Sequence, residues 1–376
     1  MERRRFFGKG AALTAGAALT AAGVMAAGRA APPAVKSTAS IFDFGAHGDG
    51  ATDDSAAFSQ ALEAAARRGL VVIVPGFTYA IAKPIRFVST GNVGTAWGLE
   101  CQGATLVSRI DNGDDVMSLT SKHTVRYFRL TGGLSIKGSG SDGNGVRCFA
   151  SGGSVWFYNF VIDGLSVERC GKNGLLVAGN CFESTVQNSY FQDNKIDGAV
   201  FAHSEGGICS AITVVNSYFN QNGRYGLSAT DLERSYGGTT DVRVYGGYCR
   251  QNGSFGMYYN NGMGQGGLTQ VGFENNCTSL KPGDPKGAHV YSRGPCVASH
   301  CTGYNEFGGA TYFARVYGYG ISVLDVCGQA SGRAMKASGK SKLLQADGQT
   351  GAKFVLRSCT GGYDQVNTGV TVTETS

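Results

Sequence analysis

Proline is scarce in this chain of 376 residues, at 7, and no Cys-X-X-Cys pair occurs among its 11 cysteines. Few prolines leave few places where a strand ladder must break, and the missing pairs exclude the usual redox and zinc signatures. The five histidines are scattered and none sits in a Cys/His cluster, so neither a metal nor a cofactor is expected. Beyond the first thirty residues no run is long and apolar enough to span a bilayer. An excess of either charge is also lacking once the N-terminal segment is set aside.

That segment, Met1 to Ala30, opens with Arg3, Arg4, Arg5, Phe6, Phe7 and Lys9 and continues as an Ala/Gly/Leu stretch from Ala11 to Ala27. A basic start and a short apolar run form an export leader. The arginine run resembles a twin-arginine signal; an ordinary secretory signal or an uncleaved anchor are the alternatives. The expected layout is leader 1–30, linker 31–39, one domain 40–368 and tail 369–376, in a periplasmic or secreted protein without membrane contact after cleavage. Removing five basic residues and one acid leaves 28 basic against 26 acidic, a net of +2. Such a balance excludes nucleic acid as the expected partner.

What the chain does have is glycine, 59 residues of it, and a repeat. Six segments open with a glycine and continue as short alternating runs, at Gly174, Gly198, Gly226, Gly256, Gly287 and Gly309, with steps of 24, 28, 30, 31 and 22 residues. A period in the twenties that carries strands marks a β-solenoid. Asn194, Asn222, Asn252 and Asn276 end the turns before four of these glycines. Asparagine tolerates left-handed backbone, and stacked amides can bond from rung to rung. Cys249 takes the place that Phe191 and Phe219 hold in their turns, so most cysteines are expected in the core. Cys296 and Cys301, near a turn, are the expected bonded pair.

The segment from Ile41 to Leu62, with Asp49, Thr52, Asp53 and Asp54, followed by Gly69 to Gly76 and Tyr79, resembles the opening motif of the pectate lyase-like β-helix superfamily. That superfamily includes polygalacturonases, rhamnogalacturonases, alginate epimerases and phage tailspikes. The resemblance implies an all-β fold: a right-handed parallel β-helix with a short N-terminal helix, from Asp53 to Arg68, capping its open end. Thr52, Asp53 and Asp54 are then helix-capping residues. It does not select an activity, because this fold hosts several chemistries. The Gly-His-Gly motif of polygalacturonases and the Asp-Pro-His-Glu motif of the epimerases are both missing.

With each repeat glycine as zero, positions one and three are mostly apolar and should point inward, so positions two and four should face out. The outward set ends in Tyr258, Asn260, His289 and Tyr291, whose aromatic and polar groups suit sugar rings. Tyrosine is also favoured on any sheet surface. Position five brings His203 and Asp231 onto adjacent rungs, and position seven brings Glu205 and Glu233, with Arg234 following. Neighbouring strands lie about 4.8 Å apart, so Glu205 and Glu233 would approach the roughly 5 Å separation of retaining glycosidases. Solvated turn carboxylates are the alternative reading.

The expected function is therefore an exported carbohydrate-active enzyme that cleaves a polysaccharide or oligosaccharide. Glu205, Asp231 and Glu233 would be catalytic; His203, Arg234, Tyr258, Asn260, His289, Tyr291 and Arg293 would bind substrate. A lyase or epimerase acting on a uronic-acid glycan is the first alternative, since it needs a base and a cation to neutralise the uronate. A non-catalytic glycan-binding spike or adhesin is the second. Assembly as a homo-oligomer, a trimer, stays open.

Overall fold

A computed structural model describes residues 38–204, 206–232, 241–260, 263–264, 266–318, 320–331, 342–348, 352–366 and 370–375. The leader expected over residues 1–30 lies outside them. The described chain is an all-β parallel solenoid of about 10 turns with a single α-helix. It is the right-handed parallel β-helix expected from the sequence. Three parallel sheets wrap one interior. The first runs from Thr38–Ser40 to Thr371–Thr375, the second from Asp49–Asp53 to Gly328–Ser331, and the third from Ile85–Val88 to Tyr363–Gln365. The terminal strands of the first sheet fall in the segments expected as linker and tail, and both pair in the ladder.

The single helix, α1, spans Ser55–Arg68 and turns Phe58, Ala61, Leu62 and Ala65 into the end of the core. It starts two residues later than expected. Asp53, not Asp54, meets its first turn: Asp53 Oδ1 accepts from the Ser55 N–H at 3.1 Å and the Ala82 N–H at 3.0 Å. Asp54, at the cap position, turns away and accepts from the His47 and Gly48 N–H groups. Both carboxylates are committed to backbone donors, which leaves them structural.

Five glycine-led strands, Leu175–Gly179, Ala199–His203, Leu227–Asp231, Met257–Tyr259 and Ala288–Ser292, follow one another in the third sheet. Tyr312–Gly318 comes next. Leu175, Ala199, Leu227 and Met257 pair in one buried column, as the repeat predicts. Beyond them the register departs from that prediction. Met257 pairs with Val290 instead of Ala288, and Ala288 pairs with Tyr312 instead of Ala310. A longer turn separates Asn276 from Gly287, and each slip is two residues. Side chains alternate with a period of two, so an even slip preserves the buried face. Ala288 and Ala310 are still fully buried.

The turn asparagines do form a ladder. Nδ2 of Asn194 donates to Asn222 Oδ1 at 3.0 Å, Asn222 to Asn252 at 3.0 Å and Asn252 to Asn276 at 2.8 Å. Left-handed backbone is not their role, however. The positive φ angles belong to the residue before each: Asp193, Gln221, Gln251 and Asn275. The repeat glycines serve the same ladder by being small. A Cβ on Gly198 would lie 2.9 Å from Asn222 Nδ2 and 2.5 Å from the Gly226 carbonyl oxygen.

All eleven cysteines are unbonded, and ten are buried, so the expected Cys296–Cys301 bridge is absent. The Cys301 thiol instead shares a hydrogen bond with the Cys327 thiol on the following turn. Cys249 sits between Phe219 and Phe273 as a core residue, and burial holds its thiol well above its ordinary value.

Candidate functional site

The outer face of the third sheet changes character along the solenoid axis. Its earlier strands carry Phe149, Ala178, Val200 and Ala202, which form an apolar cluster apart from the core. Then polar and aromatic groups take over. Asp197, at the turn before Gly198, is fully buried and accepts four hydrogen bonds. Its donors are Arg224 Nε at 2.8 Å, Arg224 Nη2 at 2.7 Å, the Tyr225 N–H and the Ser228 hydroxyl. A carboxylate so completely engaged fixes the guanidinium in place. Asp197 in turn raises the Arg224 pKa further.

Arg224 lies over the ring of Tyr225, 4.7 Å from its centroid. On the far side of that ring begins a stack. Tyr258 lies 4.6 Å from Tyr225 at 3° between planes, and 5.6 Å from Tyr291 at 5°. Phe255 joins from the preceding turn, 5.8 Å from Tyr225 and 4.9 Å from Tyr291. Arg315 closes the opposite end, 5.6 Å from the Tyr291 centroid. Rings stacked like coins along the axis cover one another's faces, and a guanidinium covers each end. The stack therefore offers edges and hydroxyls to solvent, not the open faces on which a sugar ring would lie.

Beside the stack is a cleft of about 650 Å³. Lys286, Arg293 and Arg315 line it together with Tyr258, Tyr317 and one carboxylate, Asp347. Asn260 accepts from the Tyr258 hydroxyl at 3.0 Å and from Arg293 Nη1 at 3.2 Å, which links the three side chains. The Nε of Arg315 is buried and has no hydrogen-bond partner among the described residues. Burial pushes the Tyr225 phenol up to about 12 and raises Tyr258 as well, against the opposing pull of Arg293. Both phenols are proton donors at neutral pH, not bases.

Of the residues expected to bind substrate, Tyr258, Asn260, Tyr291 and Arg293 meet at this cleft. His289 does not. It was expected to face out, but it is fully buried, and its Nδ1 lies 3.1 Å from Asn276 Nδ2 at the end of the asparagine ladder. The two-residue slip puts Tyr291, not His289, beside Tyr258 on the outer face. Burial lowers the His289 pKa to about 3, which makes it a neutral ladder cap. His203 is also buried, and its backbone pairs with Asp231 as the repeat predicts. Glu205, Glu233 and Arg234 lie outside the described residues, and of Asp231 only the backbone is described. Asp197, Arg224, Tyr225, Phe255 and Arg315 were not expected. Four residues stand one place before a repeat glycine, Asp197, Tyr225, Phe255 and Lys286, so a column read backwards from the glycine would have found them.

Among the described residues no group of three or more His, Cys, Asp or Glu side chains could hold a metal ion. No described helix is long and apolar enough to cross a membrane. A family model described as rhamnogalacturonase A/epimerase, pectate lyase-like, matches residues 38–112. Among solved structures the chain is similar to the Agl-KA catalytic domain, at 14% identity and a TM-score of 0.56, covering 92% of this chain and 69% of that one. It is similar to ORF18 of Geobacillus virus E2 at 16% identity and a TM-score of 0.54, covering 78% and 58%. The N-terminal fragment of gene product 12 of bacteriophage Phi29 is similar at 15% identity and a TM-score of 0.54, covering 85% and 57%. The chain thus spans little more than half the length of those two viral proteins. A comparison with curated protein sequences finds no match. Fold and family model together define what is shown: the chain is a right-handed parallel β-helix whose residues 38–112 match a pectate lyase-like family model.

Proposed function

We propose that the protein is a carbohydrate-active β-helix whose third-sheet cleft takes an acidic polysaccharide. The observation that carries this reading is the cleft's charge. Among the described residues Lys286, Arg293 and Arg315 face a single lining carboxylate, Asp347. A ligand carboxylate would be held by these cations, and guanidinium groups match carboxylates in a planar, two-point fashion. Hydroxyls of Tyr258 and Tyr317 supply further contacts along the cleft wall. The rhamnogalacturonase/epimerase family model over residues 38–112 supports a carbohydrate substrate.

Two reactions fit such a ligand. Carboxylate-based cleavage would use Glu205, Asp231 and Glu233; the Asp231 backbone pairs with His203 in the third sheet. Elimination or epimerisation of a uronate is favoured by the cations, which would neutralise the carboxylate and ease loss of the neighbouring C–H proton. Export by the arginine-rich leader would bring the protein to such polymers. Incubation with pectic, alginate and neutral glycans separates the outcomes. An ultraviolet-absorbing unsaturated product marks elimination, new reducing ends without it mark hydrolysis, and altered sugar stereochemistry marks epimerisation. Binding and turnover confined to neutral glycans would refute the acidic-substrate reading.

A further inference from the structure

A second aromatic group lies on a different sheet and is built in the opposite way. Strand alternation on the first sheet turns Val125, Phe157 and Cys181 into the core, each no more than 1% exposed. The residues between them therefore point out. Arg126 pairs with Tyr158 and Tyr158 with Phe182 on three successive turns, and Thr124 and Trp156 extend the same face. Together with Glu183 they line a hollow of about 460 Å³. Arg126 sits over the Tyr158 ring at 4.5 Å.

The tryptophan is the distinguishing feature. Trp156 meets Phe182 at 5.1 Å with a 45° tilt, so Phe182 props the indole without covering it, and Trp156 stays 40% exposed. An indole half out of water is costly to keep exposed and is characteristic of a binding surface. Immediately after Phe182 the register skips Glu183, and it skips Ala211 on the next turn; both have positive φ. The pairing offset is the same on both sides of these two residues, so they form a left-handed corner repeated on successive turns, which bounds the Trp156–Phe182 face.

We infer that the Arg126–Trp156–Tyr158–Phe182 hollow is a second glycan-contact site, which stacks the C–H face of a pyranose ring on the Trp156 indole. A flat apolar platform flanked by hydrogen-bonding groups is what an amphipathic sugar ring requires. Arg126 and Thr124 take the ring hydroxyls. The inference rests on the reading of this protein as carbohydrate-binding, but it concerns a separate surface and neutral ring contacts, not the charged cleft.

The chain has 2 tryptophans, and Trp97 is fully buried, so quenching by acrylamide reports on Trp156. The probes are polygalacturonate, alginate and a neutral β-glucan oligosaccharide. At least one of them should shield the emission from quencher in the wild type. Shielding should persist in Arg293→Ala and weaken in Arg126→Ala, while Trp156→Phe should weaken retention of that probe about tenfold without shifting the melting temperature. No shielding by any probe overturns the site. Shielding that disappears in Arg293→Ala overturns it as an independent surface. Shielding that persists while Arg293→Ala leaves all binding unchanged supports this site and counts against the cleft.

Discussion

The stack of Tyr225, Phe255, Tyr258 and Tyr291 and the pair Trp156–Phe182 are both outward-facing aromatic groups on successive turns, yet they present different chemistry. In the stack the planes lie within 15° of parallel and a guanidinium covers each end. In the pair the planes cross at 45° and the indole stays open. The stack is a spacer that holds Arg224 and Arg315 at fixed heights; the pair is a platform. The number of aromatic residues in a solenoid column does not say whether the column stacks sugars. Their orientation decides that, and the neighbouring charges decide what the remaining edges recognise.

If the stack is a structural unit, its anchored end should be the sensitive one. Arg224→Ala should cost about 3 kcal/mol in denaturant unfolding, because the fully buried Asp197 loses its ion partner. Arg315→Ala, at the end with no carboxylate partner among the described salt bridges, should cost less than about 1 kcal/mol. Equal losses at both ends would mean that the rings, not the ion pair, hold the group together.

The functional contrast is expected next in size. Arg293→Ala should weaken retention of an acidic glycan about tenfold while leaving Trp156 quenching unchanged, and Tyr258→Phe should weaken it less, since Arg293 still donates to Asn260. An equilibrium titration checks both. Added salt should erode the wild-type affinity, because exposed Lys286 and Arg293 interact through screened charges.

An effect seen only on acidification concerns the far end of the asparagine ladder. His289 has its pKa lowered from 6.5 to about 3 by burial. The unfolded chain therefore takes up a proton before the folded one as pH falls, so this residue erodes stability between pH 6.5 and about 3 and has no effect above that window. In His289→Asn, the loss of stability on acidification should be shallower than in the wild type. An identical pH slope in both proteins would remove His289 as its source.

The fold was legible in the sequence because it is written many times over. Six turns repeat a glycine and an alternating strand, four of them after an asparagine, so an error at one turn is corrected by the next. The Asp49–Asp54 motif added the helical end. Local departures were not legible: the longer turn between Asn276 and Gly287 shows in the sequence, but not the two-residue slips that exchange His289 for Tyr291. Half of the site was readable for the same reason. Tyr258, Asn260, Tyr291 and Arg293 occupy forward column positions, whereas Tyr225 and Phe255 lie on the turn side of the glycine and Asp197 is a turn carboxylate hidden by burial. The left-handed turn residues were misplaced by one, since an asparagine can serve a turn by its amide as well as by its φ. Trp156 belongs to no glycine-led repeat, and its role emerges only from the sheet on which it sits.

The most direct test of the cleft is to compare one acidic oligosaccharide with its carboxyl-reduced counterpart, identical in linkage and length. Titrated against the wild-type protein, the acidic form should bind at least about tenfold more tightly, and Arg293→Ala should narrow that gap. Equal affinity for the two forms, unchanged by Arg293→Ala, would contradict an electrostatic cleft.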